Sequence, residues 1–224
     1  MRKTEFSNEE YYHIYNRGVD KREVFGDKKD YSRFLKNMRE FNNELTREQR
    51  ICKETELNSE ASELSSVSSA MLEFFSSLPK LVEIICYCLN PNHYHFILRQ
   101  LVDNGIIKFM HKIGTGYPNY FNIKYDHSGH LFQGRFKAKH IDINEYLLWL
   151  SGYVNGNAEI HKIAKAENYQ YCSYPDYLGS RNGTLCDKEI ILSQFKNSEE
   201  YRKYVEMVIR ESSKRKDMEK YFIE

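Results

Sequence analysis

Apolar residues along this chain change their period several times, and each change marks an element. Tyr11–Tyr15, within YYHIYNRG, reads as a first strand that ends at Gly18. From Asp27 to Asn42 the period lengthens, with Tyr31, Phe34, Leu35 and Met38 recurring at helical spacing. The β-branched, apolar run LVEIICYCL (81–89) predicts a second strand and HYHFILRQ (93–100) a third, joined as a hairpin by the turn Asn90-Pro91-Asn92. Asn104 to about Tyr125 reads as a helix interrupted by Gly114, Gly116 and Pro118, and HLFQGRFKAKHID (130–142) as a fourth strand. Asp142, with Glu145 after it, predicts a capping box that opens a helix along IDINEYLLWLSGYVNGN. A last amphipathic helix is predicted near 198–213, with Tyr201, Tyr204, Val205, Val208 and Ile209 on one face.

Residues 44–79 break this rhythm. The stretch is rich in Ser and Glu, and from 44 to 75 seven Glu face two Arg and one Lys. That composition predicts a surface insertion, partly helical or disordered. Without it, the first six elements run strand, helix, strand, strand, helix, strand, the split βαββαβ order. The expected fold is therefore α+β: a ferredoxin-like antiparallel sheet with helices packed on it, then a further helix and a C-terminal helical extension. The expected division is a domain over 1–180, carrying the insertion, and the extension over 181–224.

Composition narrows the class only a little. The chain has 224 residues, of which 41% are hydrophobic and 29% charged, enough for a globule with a real core. Its net charge of +1 argues neither for nor against a nucleic-acid partner. The opening residues contain no apolar segment of the secretory kind, and no run is long enough to span a membrane, so no membrane partner and a cytoplasmic location are expected. Five scattered cysteines form no CxxC pair, which points away from a zinc ribbon or a disulfide framework. Cys86 and Cys88, inside an apolar strand, read as core thiols, which fits a reducing cytosol.

The third strand carries the candidate chemistry. His93 and His95 are two residues apart, so their side chains share a face at roughly 6–7 Å, while Tyr94 points the other way. On spacing alone, a pair of structural histidines is as good a reading as a metal site. Burying two adjacent imidazoles is unfavourable without partners, however, and a divalent cation would serve both. With no Cys/His zinc set at hand, oxygen ligands and water would complete the site, which suits Mg²⁺ or Mn²⁺ on a phosphate. On the helix after the last strand, Tyr153 and Asn157 are four residues apart and share a face. Either they turn toward that ion, or Asn155-Gly156 simply ends the helix and Tyr153 is a packed aromatic. Tyr146 and Trp149, earlier on the same side, are expected in the core. Gly152 and Gly156 would allow close approach to the sheet or let the helix swing.

These residues, taken in order, resemble the REP-associated tyrosine transposases, within the single-tyrosine branch of the HUH endonuclease superfamily. YYHIYNRG (11–18) is similar to that family's opening strand and turn, and CLNPNHYHFIL (88–98) to its His-hydrophobe-His signature. SGHLFQGRFKAKHID (128–142) resembles its Gly-Arg-aromatic strand, EYLLWLSGYVNGN (145–157) its Tyr-x-x-x-Asn helix, and YCSYPDYLG (171–179) a downstream segment. Ala158 stands where the family has proline, and 44–79 is longer than its usual connection. The resemblance implies metal ligation by His93 and His95 with Asn157 completing the site, and Tyr153 as nucleophile. It implies nicking and rejoining of single-stranded DNA through a 5′-phosphotyrosine, on hairpin-forming repeats, by a nucleoid-associated prokaryotic protein acting as monomer or homodimer.

The charge pattern gives a DNA partner independent support. Between 104 and 140, six basic residues, among them Lys124, Arg135, Lys137 and Lys139, face one acid, Asp126, and aromatics are interleaved among them. Arg17 and Arg22 beside the first turn extend this set. Cations for phosphates and rings for bases are what single-strand binding needs, although a solvated face over core aromatics accounts for some of them. Two functions compete: a nicking and joining enzyme, or a module that holds hairpin DNA or RNA without cutting. Only the first needs His93, His95 and Tyr153 together. A zinc deaminase is disfavoured, since no PCxxC accompanies a histidine.

Overall fold

A computed structural model describes residues 4–45 and 79–221, the side chains of 216–221 excepted. Residues 46–78, most of the expected insertion, lie outside the described residues. Four strands, β1 (Tyr11–Arg17), β2 (Val82–Asn90), β3 (His93–Gln100) and β4 (Lys137–Ile141), form one sheet in the order β2-β3-β1-β4. Every neighbouring pair is antiparallel. The fold is α+β, with helices on both faces of the sheet.

The alternation of β1 and β3 sorts two cores. On one face Tyr12, Ile14, Tyr94, Phe96 and Leu98 pack under α1 (Lys28–Glu40) and α2 (Gly105–Lys124), which contribute Phe34, Met38, Phe109 and Tyr117. On the other, Ile97, Cys86, Cys88 and Ile141 pack under α3 (Asn144–Asn155), α4 (Asn157–Ile160) and the long C-terminal α5 (Ser198–Tyr221). Leu147, Leu150, Val154, Tyr201 and Val205 fill that second core. Tyr201, Val205 and Val208 are buried and Tyr204 and Ile209 half-buried, so the predicted face of the last helix is the one that packs. The outer edge of β2 is covered by the segment around Cys172, through Leu89 N–H to Tyr171 O at 2.9 Å and Ser173 N–H to Tyr87 O at 2.9 Å.

Several boundaries differ from expectation. The hairpin turn is shorter, because β2 continues through Asn90 and only Pro91 and Asn92 turn. Pro118 does not break α2. Gly116 lies where a Cβ would come within 2.6 Å of the Phe41 ring, so that glycine admits a neighbouring side chain and does not end the helix. The fourth strand begins only at Lys137. Gly134, at φ +68°, turns the chain before it, and Asn16 Nδ2 donates to Gly134 O at 3.1 Å. Asp142 does not cap α3: Ile143 occupies the cap with no side-chain hydrogen bond.

A buried carboxylate joins α1 to α2. Asp27 caps α1, accepting from Asp30 N–H at 3.0 Å, and Asp30 reciprocates. Asp30, fully buried, also accepts from Lys124 Nζ at 2.6 Å, Tyr125 Oη at 2.8 Å and Tyr120 Oη at 3.1 Å. Burial pushes its pKa up, but Lys124, Tyr125 and the Gly26 N–H outweigh this and hold it below the usual value. Asp30→Asn should lower the unfolding free energy by roughly 3 kcal/mol, because it leaves the Lys124 charge poorly compensated. Urea denaturation of the variant beside Lys124→Met checks this; an unchanged midpoint in both would remove the link from the account of the fold.

Candidate active site

Strand alternation places His93 and His95 on the α3 face and Tyr94 in the opposite core. The two rings stand 5.3 Å apart between centroids and perpendicular, at 89°. β1 supplies the next layer. Tyr15 lies opposite His95 in register and stacks on it at 5.7 Å, and His13 stacks on His95 at 5.1 Å. His13 Nε2 and His95 Nδ1 share a hydrogen bond of 2.9 Å, which leaves His95 Nε2 without a hydrogen bond to a described residue. Burial, then the neighbouring His13, His93 and His161, hold the His95 pKa well below the ordinary value. Burial with the Lys139 charge lowers His13 to about 4. Both rings are therefore neutral at pH 7, a state in which an imidazole can ligate a metal.

His93 is oriented by the hairpin turn. Its Nδ1 donates to Asn92 Oδ1 at 2.6 Å, so its Nε2 carries the lone pair and accepts from Asn90 Nδ2 at 2.9 Å. Asn90 Nδ2 also donates to Asn157 Oδ1 at 2.6 Å. Two acceptors, His93 Nε2 and Asn157 Oδ1, thus lie 3.3 Å apart with a single amide serving both, while Asn157 Nδ2 is buried without a hydrogen-bond partner among the described residues. Among the described residues, no group of three or more His, Cys, Asp or Glu could hold a metal ion. The donor set is imidazole and amide, and a cation here would need water and substrate oxygens to complete its shell.

Tyr153 reaches the same place from α3. Its ring meets His95 edge-on at 5.7 Å and stacks on Trp149 at 5.5 Å and 12°. Trp149 in turn stacks on Tyr146 at 6.4 Å, and Lys139 Nζ sits 4.5 Å above Tyr146. Tyr146 and Trp149 are half-buried, not core as expected, because the ladder follows the rim of the sheet. Gly152 and Gly156 are close-approach positions toward α5, not toward the sheet. A Cβ at Gly156 would lie 2.4 Å from Ile209 Cγ1, and one at Gly152 3.0 Å from Val208 Cγ2.

No protein-family model matches the chain, and no curated protein matches it. One solved structure that resembles it is a REP-associated tyrosine transposase bound to a REP hairpin. The match has a TM-score of 0.50 and 10% sequence identity, and covers 84% of this chain and 93% of that one. At that identity the likeness is one of fold. None of the described helices is long and apolar enough to cross a membrane.

The expected DNA-contacting residues separate into groups. Lys137 and Lys139 lie opposite Tyr15 and His13, on the histidine face, and Arg17 lies opposite His93 with its Nε on Gln133 at 2.5 Å. Arg22 pairs with His127, and Arg135 is exposed near the far face of the sheet. The Lys124 ammonium is bound by Asp27 at 2.8 Å and Asp30 at 2.6 Å, which gives it a structural role. Sequence reasoning missed His13, Tyr15, Asn90 and His161. His13 and Tyr15 repeat the alternation of His93 and His95, and His161, 4.6 Å from His93 between ring centroids, continues the spacing of Tyr153 and Asn157 by one more helical turn. Asn90 carried no signal beyond its turn.

The His13–His95 pair makes stability pH-dependent. The unfolded chain protonates His13 near 6.5 and the folded one only near 4. Between those values the unfolded state binds more protons, so stability falls as pH falls and that loss is complete below about 4. For His13 it should amount to about 3 kcal/mol. Urea titrations of the metal-free protein across this window should show the slope, and His13→Gln should flatten it; equal slopes in both proteins would contradict a buried neutral His13.

Proposed function

We propose that this protein is a metal-dependent enzyme that nicks and rejoins single-stranded DNA at hairpin-forming sequences, with Tyr153 as nucleophile, on a sheet of ferredoxin-like topology. The observation that supports this best is the convergence of Tyr153 of α3, His93 and His95 of β3, and Asn157 of α4, elements that bring together segments far apart in sequence. His93 Nε2, His95 Nε2 and Asn157 Oδ1 would hold Mg²⁺ or Mn²⁺. Bound there, the cation would neutralise charge on the scissile phosphate and help align it.

The remaining work falls to the chain itself. A neutral phenol is a weak nucleophile, so the placement of Tyr153 against the phosphate carries much of the step. Trp149 and His95 hold the Tyr153 ring between a stacked and an edge contact. Attack of Tyr153 Oη on phosphorus forms the phosphotyrosine, breaks the bond to the 3′ oxygen and releases a 3′-OH, the phenol proton being lost as the leaving oxygen gains one. The bond energy stays in the phosphotyrosine, so a 3′-OH can reverse the step without a nucleotide cofactor. Arg17, Lys137 and Lys139, on the histidine face, would guide the backbone, with rings such as Tyr146 and Trp149 available for bases.

A second reading, a hairpin-binding protein that does not cut, has its own support: Asn90 Nδ2 already satisfies both His93 Nε2 and Asn157 Oδ1 without a cation. A denaturing gel with labelled single-stranded hairpin DNA and Mn²⁺ separates the two. A covalent adduct is expected with the wild-type protein and absent in Tyr153→Phe, whose stability should change by less than about 1 kcal/mol. His93→Ala and His95→Ala should also lose the adduct while retaining hairpin binding. Binding with no wild-type adduct would favour the second reading. Lys137→Ala and Lys139→Ala should each reduce the salt slope of single-strand binding by about 0.7; an unchanged slope would place the DNA on another face.

A further inference from the structure

A cavity of about 710 Å³ lies on the face of the sheet opposite the histidines, between α2 and the segment 129–136. Its volume falls within the range of small-ligand sites, about 300–1,000 Å³. Tyr94, Leu131 and Phe132, all buried, form the floor, and Ile107, Met110 and Pro118 of α2 form a wall. Hydrogen bonds between lining residues hold the shape: Asn16 Nδ2 donates to Gly134 O at 3.1 Å and Asn122 Nδ2 to Gly129 O at 3.2 Å. The rim differs in kind. His111, Asn119, His130 and Arg135 line it, are exposed, and make no side-chain hydrogen bond or ion pair with a described residue. Among the described residues, no acidic one lines the cavity.

An apolar floor with aromatic rings suits a flat heterocycle. A rim that presents a guanidinium and, among the described residues, no carboxylate suits a phosphate beside it. We propose that this cavity takes up one unstacked nucleotide of the bound DNA, the base on the floor and its phosphate at Arg135. This rests on the DNA-binding reading above and adds a second anchoring point to it. Because His93 and His95 project from the opposite side of β3, a nucleotide held here is remote from Tyr153 and serves to fix register, not to react. The loop bearing Arg135 joins β4 beside Lys137, so a strand could pass around that rim from the cavity to the histidine face.

Gly114 supplies the test. It lines the cavity, and a Cβ built on it meets nothing within 4 Å, so a side chain placed there enters the cavity without displacing protein. Fluorescence anisotropy at one salt concentration would compare wild-type protein and Gly114→Leu on three labelled hairpins: fully paired, with one unpaired nucleotide, and with an abasic residue in its place. Wild-type protein should bind the abasic hairpin roughly tenfold more weakly than the one with an unpaired base, and Gly114→Leu should bind both alike. Equal wild-type binding of those two hairpins would overturn the proposal while leaving the DNA reading intact, and it needs no variant to fold. Ligand-observed NMR with deoxyadenosine monophosphate gives a second readout. Saturation transfer seen with wild-type protein and lost in Gly114→Leu would support the nucleotide cavity even if no hairpin bound, in which case the DNA reading fails alone. Absence of both mononucleotide and hairpin binding would overturn both.

Discussion

The antiparallel register between β1 and β3 sets Tyr15 opposite His95 and Arg17 opposite His93. Because side chains alternate with a period of two, a slip of one residue would exchange every side chain of a strand between the two faces. Here it would push Tyr12 and Ile14 out of the first core and bring His13 and Tyr15 into it. Both strands lie inside the sheet and carry apolar residues on both faces, so neither can slip without placing polar atoms in a core. The same register that fills the cores stacks His13 and Tyr15 against His95. Packing and candidate chemistry thus share one constraint.

That constraint explains which parts of the molecule were legible in the sequence. Long periodic segments such as 27–42, 93–100 and 198–213 identified their elements, because burial on one face imposes a period that survives in any order of packing. His93, His95, Tyr153 and Asn157 were legible as pairs, since two-residue and four-residue spacings fix a shared face within one strand or helix. Their convergence was not a property of either segment; it came from the family resemblance and, in space, from the register and from α3 lying across the sheet. His13 shows the limit best. Nothing within YYHIY says that it will face His95, because that contact spans 82 residues. Lys124 shows the converse limit: a basic residue in a basic stretch, it pairs with a carboxylate of another helix that local charge counting cannot see.

The two faces carry their polar groups differently. On the α2 face, Asp30 and its donors form a closed ionic cluster that links two helices. Around His95 on the α3 face, the buried polar groups are the neutral imidazoles of His13 and His95 and the amides of Asn90 and Asn157, which bond one another. Neutral groups can exchange a mutual hydrogen bond for a ligand with little desolvation, whereas a buried charge cannot lose its partner without a large penalty. The second arrangement suits a site that must open to substrate; the first suits a joint.

The helix that carries Tyr153 is held from behind. Asn155 Nδ2 donates to Tyr201 Oη at 2.8 Å, Ser173 Oγ donates to Asn155 Oδ1 at 2.6 Å, and Tyr201 Oη donates to Ser151 Oγ at 3.2 Å. This network ties α3 to α5 and to the segment covering the β2 edge, while Gly152 and Gly156 let α5 approach closely enough for it to form. Every polar atom in it lies away from solvent, so rotating α3 would leave several unpaired at about 1–3 kcal/mol each. Tyr153 lies on the side of that helix facing His95. Its position is therefore fixed not only by its ring packing on His95 and Trp149 but also by a polar lock on the opposite side of the same turns. Residues 198–208, distant from the histidines in sequence, help to determine where the candidate nucleophile stands.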